Sequence, residues 1–185
     1  YSRAHRFTRL ARKLGWPLRD LDKAFIALHP MNEEGIPDIT DAFLIQLSHI
    51  QRLFVEKNIP VVNLLSLWAY MDHVSYVDHI ADGEPEIPSL YAQMFLSKTS
   101  ESAVFKTLKN QKISEHTAAI AAAFGIGADD VDRLRADPLV IPLISEPNPD
   151  PTKPDVLVQD DRLTFENLSR LYRHSLLARI VELPI

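Results

Sequence analysis

The chain contains no cysteine. That absence excludes a disulfide framework, a thiolate zinc site, an iron–sulfur cluster and a cysteine nucleophile. Glycine is scarce, with five in 185 residues, too few for the turns of a β-sandwich or the loops of a nucleotide-binding α/β fold. No apolar run approaches the roughly 18 residues of a membrane-spanning helix. Neither GxGxxG nor GxxxxGK[ST] occurs, so no phosphate-binding loop is written here. Gly125–Ile126–Gly127 is a lone GxG, better explained by a helix cap followed by a turn. No serine stands in a GxSxG nucleophile elbow, and Glu115–His116 lacks the second histidine of a zinc-binding helix. No apolar signal stretch follows Tyr1, and the chain reads as a piece of something longer.

What remains is globular in kind. Apolar residues make up 46% and charged residues 24%, enough to bury a core over one or at most two domains. The net charge of −5 argues against a general nucleic-acid binder. Charge is unevenly spread: residues 1–19 hold six basic side chains and no acidic one, and residues 129–161 hold nine acidic and three basic ones. A basic arm for nucleic acid is one explanation of the first block. The plainer one is an exposed helix face whose counter-charges lie elsewhere in the fold, because the block also has an apolar stripe.

Helical spacing dominates. Ala4, Phe7, Leu10, Ala11 and Leu14 form one helix face, with Gly15 placed as a left-handed cap. Pro17 opens a second helix, with Leu18, Leu21, Phe25 and Leu28 expected inward. Asp38 or Thr40 caps a third, in which Ile39, Phe43, Leu47, Ile50 and Phe54 face the core and which ends near Asn58. Further helices are expected from Pro60 to Leu67, at 90–95 behind Ser89, at 103–109, at 114–124 and at 128–136, where Asp129, Asp130 and Asp132 favour the helix start. Residues 69–88 read as mostly loop. Six prolines between Pro138 and Pro154 predict an extended proline-rich loop over 138–163, with at most a short strand at Val156–Val158. A last helix starts at Thr164 and buries Phe165, Leu168, Tyr172, Leu176, Ile180 and Leu183. The expected fold class is all-α, a single irregular multi-helix module over 1–185.

Few residues look chemical. Asp72, His73, Asp78 and His79 put two imidazoles and carboxylates in one expected loop, so His73, His79 and Asp72 are the candidate metal ligands. Their spacing matches no common metal signature, and exposed loop histidines beside acids are ordinary. The expectation is therefore no metal, no cofactor and no enzymatic activity, with a metal-dependent hydrolase as the competing idea. Arg170, Arg173 and His174 share a flank of the last helix and could pair with acids of the long loop or of a neighbouring chain. Trp16 and Trp68 each sit beside a turn, where tryptophan usually anchors a core.

Four stretches resemble a known family. Residues 5–25, HRFTRLARKLGWPLRDLDKAF, resemble the segment RF-x-RL-x-RK-x-GW-x-x-x-x-LD of the A components of bacterial toxin complexes (Tc toxins), through Phe7, Arg9, Leu10, Arg12, Lys13, Gly15, Trp16, Leu21 and Asp22. PVVNLLSLWAYMDH at 60–73, PSLYAQMFLSK at 88–98 and LTFENLSRLYRHSLLAR at 163–179 resemble three further stretches of that family, in the same order. The proline-dense stretch is longer than the family needs there and reads as an insertion.

The resemblance implies a function that residue chemistry does not. A components form oligomeric, syringe-like assemblies, pentameric in the best-known members, with a helical shell around a translocation channel. The assembly binds a target cell, opens on a pH change, enters the membrane and delivers a toxic enzyme held by B and C components. The matched stretches belong to the shell, so the chain is expected to be a non-enzymatic structural module, with no nucleic-acid or membrane contact of its own. Its partners would be other regions and subunits of the A-component oligomer, in a secreted or cell-surface-associated virulence or insecticidal parent. The alternative is a free-standing helical adaptor that binds a protein through the basic first helix or the proline-rich loop. Candidate pH sensors are His73 and His79 beside acids, expected to titrate high, and His174 beside Arg173, expected to titrate low. Alone, the chain is expected to be monomeric or weakly associated.

Overall fold

The structure is a computed structural model, and it describes residues 2–77, 86–96 and 102–185. The fold is mostly helical. The chain forms two compact units, Tyr1–Ala92 and Gln93–Ile185.

In the first unit, α1 spans Arg3–Leu14, α2 Leu18–Leu28, α3 Asp41–Lys57 and α4 Val61–Leu65. The Ser2 hydroxyl accepts the His5 N–H at 3.4 Å and starts α1. Gly15 ends it in the left-handed region at φ 71°, while the Trp16 N–H returns to the Ala11 carbonyl at 3.1 Å. Of the two cap candidates for α3, Thr40 serves, accepting the Phe43 N–H at 3.2 Å. Asp38 instead takes the Arg6 guanidinium at 3.0 Å. Phe43, Leu47 and Ile50 are buried along α3 as their spacing predicts, and Phe7, Phe25 and Phe43 pack in series at centroid distances of 5.5 and 4.5 Å. Leu18 departs from expectation: it is 53% exposed, because α2 turns Leu21 and Ala24 inward instead. Trp16 is a core anchor, its indole N–H donating to Gln51 Oε1 at 2.6 Å. Trp68 is not, at 40% exposed. Beyond α4 the chain is irregular, apart from the two-residue antiparallel strands β1 (Tyr76–Val77) and β2 (Glu86–Ile87).

Ser89 caps the next turn, accepting the Ala92 N–H at 3.1 Å, and Ala92–Leu96 winds as a π-helix rather than the expected α-helix. In the second unit, α5 covers Ser102–Thr107, α6 Thr117–Phe124, α7 Ala128–Ala136 and α8 Phe165–Val181. Asp129 and Asp130 stand in the first turn of α7, and Asp130 accepts the Gly127 N–H at 3.1 Å. Phe95 stacks on Phe105 at 4.5 Å and meets Phe124 edge-on at 5.8 Å, and Phe124 meets Tyr172 at 5.2 Å. Leu168, Leu171, Tyr172 and Leu176 of α8 are fully buried. Leu183 is not: α8 stops at Val181, and Leu183 lies beyond it, 64% exposed.

The expectation of an extended loop over 138–163 is corrected, while the short strand expected at Val156–Val158 is present within a longer one. Leu143–Glu146 (β3) and Val156–Gln159 (β4) form an antiparallel hairpin, with Leu143 opposite Gln159 and Glu146 opposite Val156. The prolines bracket the strands instead of interrupting them: Pro142 and Pro147 flank β3, and Pro154 precedes β4. A proline outside the ladder costs no interstrand hydrogen bond, and the proline-free runs are rich in β-formers.

Candidate functional site

The first unit holds a half-open, largely apolar cavity of about 220 Å³ between α2 and residues 65–76, lined among others by Ile26, Leu65, Tyr70 and Met71. Its polar floor is a part-buried ion pair, the buried Lys23 ammonium on the half-buried Asp72 carboxylate. Lys23 also donates to the Val74 carbonyl at 2.8 Å. Asp72 Oδ2 accepts the Leu90 N–H at 3.2 Å, its Oδ1 the Val74 N–H at 3.4 Å, and its carbonyl the Tyr91 N–H at 2.9 Å. Beside them the Tyr76 hydroxyl donates to Asp22 Oδ2 at 2.5 Å, and the Tyr76 ring centroid lies 6.0 Å from Lys23 Nζ.

This arrangement suits a clamp. A buried ammonium leaves no uncompensated charge here because carboxylate and carbonyl oxygens meet it. Asp72 thereby ties α2, the irregular 71–74 segment and the turn at Leu90 to one point. Asp20, one turn before Ala24 on α2, has its carboxyl pushed up, chiefly by burial, with Arg19 and Lys23 opposing. Burial also raises the Tyr91 hydroxyl to about 12.

The metal candidates land unequally. Asp72 is committed to Lys23 and two backbone amides, and His73 is an exposed neighbour on the cavity wall. Asp78 and His79 lie outside the described residues, and among those described no group of three or more histidines and acids is placed to hold a metal ion. Lys23 was not visible as a site residue in the sequence. It occupies a charged position in an amphipathic helix, and only the tertiary fold brings Asp72 to it across 49 residues.

In the second unit the acid-rich stretch is largely self-compensated. Buried Asp160 takes the Arg162 guanidinium fork at 2.7 and 2.9 Å and the Asn167 amide at 3.1 Å, and that fork above all holds its carboxyl down to about 2. Arg135 bridges Asp132 and Asp161 at 3.4 and 3.2 Å. Arg170 pairs with Glu166 on its own helix at 2.5 Å. His174 is held below its ordinary value, first by burial and then by Arg173, with Asp137 opposing. His116 sits edge-on to Phe105 and meets Gln111 Oε1 at 3.0 Å, a packing role, while Glu115 beside it is exposed.

The basic N-terminal block is only partly compensated. Arg6 pairs with Asp38 and Arg19 with Asp20. The side chains of Arg3, Arg9, Arg12 and Lys13 make no ion pair or hydrogen bond among the described residues. Among the described residues, no helix is long and apolar enough to cross a membrane. Neither a family model, nor a curated protein, nor a solved structure matches the chain.

Proposed function

We propose that this chain is a non-enzymatic structural module of the outer helical shell of a Tc toxin A component, part of a host-cell-binding, pore-forming translocation assembly. One observation supports the reading best: three of the four family-like stretches meet at the clamp. The first supplies Asp22 and Lys23, the second Asp72, and the third the Leu90 and Tyr91 amides. The fourth forms α8 and buries Leu168, Leu171, Tyr172 and Leu176. Of the residues that carry the resemblance in the first stretch, Trp16, Leu21 and Asp22 hold elements together, which is the work of a shell. On this reading the parent is secreted or cell-surface associated, and the chain's partners are other regions and subunits of the same oligomer.

The test is to sequence outward from the coding segment and to image the parent by electron microscopy. A much longer chain with an apolar channel segment, assembled into a multi-subunit particle with this module in its wall, is the expected result. A monomeric parent with no channel segment would overturn the proposal. A second reading, a protein-binding adaptor, is favoured by the uncompensated cations of α1.

A further inference from the structure

The apolar cavity beside α2 runs from an exposed rim into the core. Ile26 and Tyr70 at its rim are exposed, while Leu65 and Met71, which also line it, are buried. The cavity reaches Lys23, whose side chain is only 8% exposed. An ammonium has three donors. The Asp72 carboxylate and the Val74 carbonyl take two of them. The third has no acceptor atom among the described residues, and the Tyr76 ring, at 6.0 Å, stands at the outer limit of a cation–π contact. A buried donor without an acceptor is costly, so the floor favours an occupant that brings an oxygen.

We propose that this cavity binds a small neutral aromatic molecule, which places a hydroxyl or carbonyl oxygen on Lys23. Size sets the class. A dry apolar cavity of about 150 Å³ holds benzene, so one of about 220 Å³ takes a single ring with a short polar substituent. Charge narrows it. Lys23 and Asp72 cancel on the floor, so an anion or a cation would be drawn by one and repelled by the other, besides losing its own hydration. Tyr70, Tyr76 and the Met71 thioether line the walls, and rings and sulfur favour an aromatic occupant. A partner helix or strand would cover the rim, yet only a side chain narrow enough to enter could meet the ammonium below. The site lies within the first unit and is independent of the shell assignment.

The experiment uses the whole chain, with methionine and alanine methyl groups labelled for NMR, because Met71, Ala27 and Ala69 line the cavity. The probes are acetophenone, ethylbenzene as the same shape without the oxygen, benzoate as the anion, and N-acetylleucinamide as a stand-in for a partner's side chain. Acetophenone should shift the three methyls with a Kd on the order of 1 mM, and benzoate should bind about tenfold more weakly or worse. Ala27→Leu puts a larger side chain into the cavity and should abolish the shifts. Leucine is a good helix former, so unchanged circular dichroism is expected of this variant. In Lys23→Met with Asp72→Leu, the ratio of acetophenone to ethylbenzene affinity should fall about tenfold, the worth of a hydrogen bond to a charged donor. Both charges are removed there because Lys23→Met alone would strand Asp72. The proposal is overturned if acetophenone shifts none of these methyls, if Ala27→Leu leaves the shifts in place, if benzoate binds more tightly, or if the affinity ratio is the same without Lys23. Tighter binding of N-acetylleucinamide would overturn it in favour of a partner's side chain. Shifts of the same methyls that grow with protein concentration alone would overturn it in favour of a second copy.

Discussion

In Tyr1–Ala92 the irregular stretch after α4 is held by polar groups, whereas in Gln93–Ile185 the short elements before α8 are held by rings. Lys23 and Asp72 tie α2 to the turn at Leu90 in the first unit. Phe95, Phe105, Phe124 and Tyr172 form a connected aromatic series in the second. Both units begin from the same apolar spacing, so spacing alone does not say how a helical unit is closed. A polar tie is directional and fails at one atom, while an aromatic series shares its contacts over several residues and fails by volume lost.

The comparison is broken most severely by removing a ring. Tyr172→Ala should destabilise the second unit by about 3–5 kcal/mol, the range for emptying a fully buried aromatic site. Phe43→Ala, in the first unit, should fall in the same range. Urea unfolding measures both, and a loss below about 1 kcal/mol would mean that the ring is not buried as described.

Lys23→Ala comes next, at about 2 kcal/mol, because it strands the half-buried Asp72 carboxylate without its counter-charge. It should also speed hydrogen exchange at the Leu90 and Tyr91 amides, which Asp72 accepts. Changing both partners, Lys23→Met with Asp72→Leu, should recover part of the loss in stability but not the protection of the Leu90 amide, whose acceptor is the lost carboxylate. If exchange there is untouched by either change, the clamp does not hold the turn.

Gly15→Ala should cost about 1 kcal/mol. A Cβ at that site meets nothing within 4 Å, so the whole effect is backbone strain at φ 71°. Thermal melts would detect it, and a neutral result would place the helix end elsewhere.

The smallest effect expected is the pH response of His174. Its folded pKa lies below the unfolded value of about 6.5. The unfolded chain therefore binds more protons in the window just below that value, and stability falls as pH drops through it. His174→Gln should flatten this slope, and melts compared at pH 5 and 8 would show whether it does.

The amino-acid sequence by itself determined where most of the helices run and several of their ends. The period of Phe43, Leu47 and Ile50, the caps at Ser2, Thr40 and Thr164, the acids opening α7 and the left-handed glycines at 15 and 125 are local devices, and local energetics are written within a few residues of where they act. The hairpin was half legible: the prolines marked where strands cannot run, but Leu143–Glu146 and Val156–Gln159 become strands only by meeting each other across a nine-residue connection. Leu18 and Leu183 have the right spacing and still face solvent, since a stripe says which side is apolar and not how much of it a neighbour covers. Lys23 and Asp72 are the clearest case of what tertiary structure alone decided. A lysine on an amphipathic helix is ordinarily solvated, and no local rule distinguishes one that will be buried. Its burial is favourable only because a carboxylate 49 residues away arrives at the same point, and that coincidence belongs to the fold.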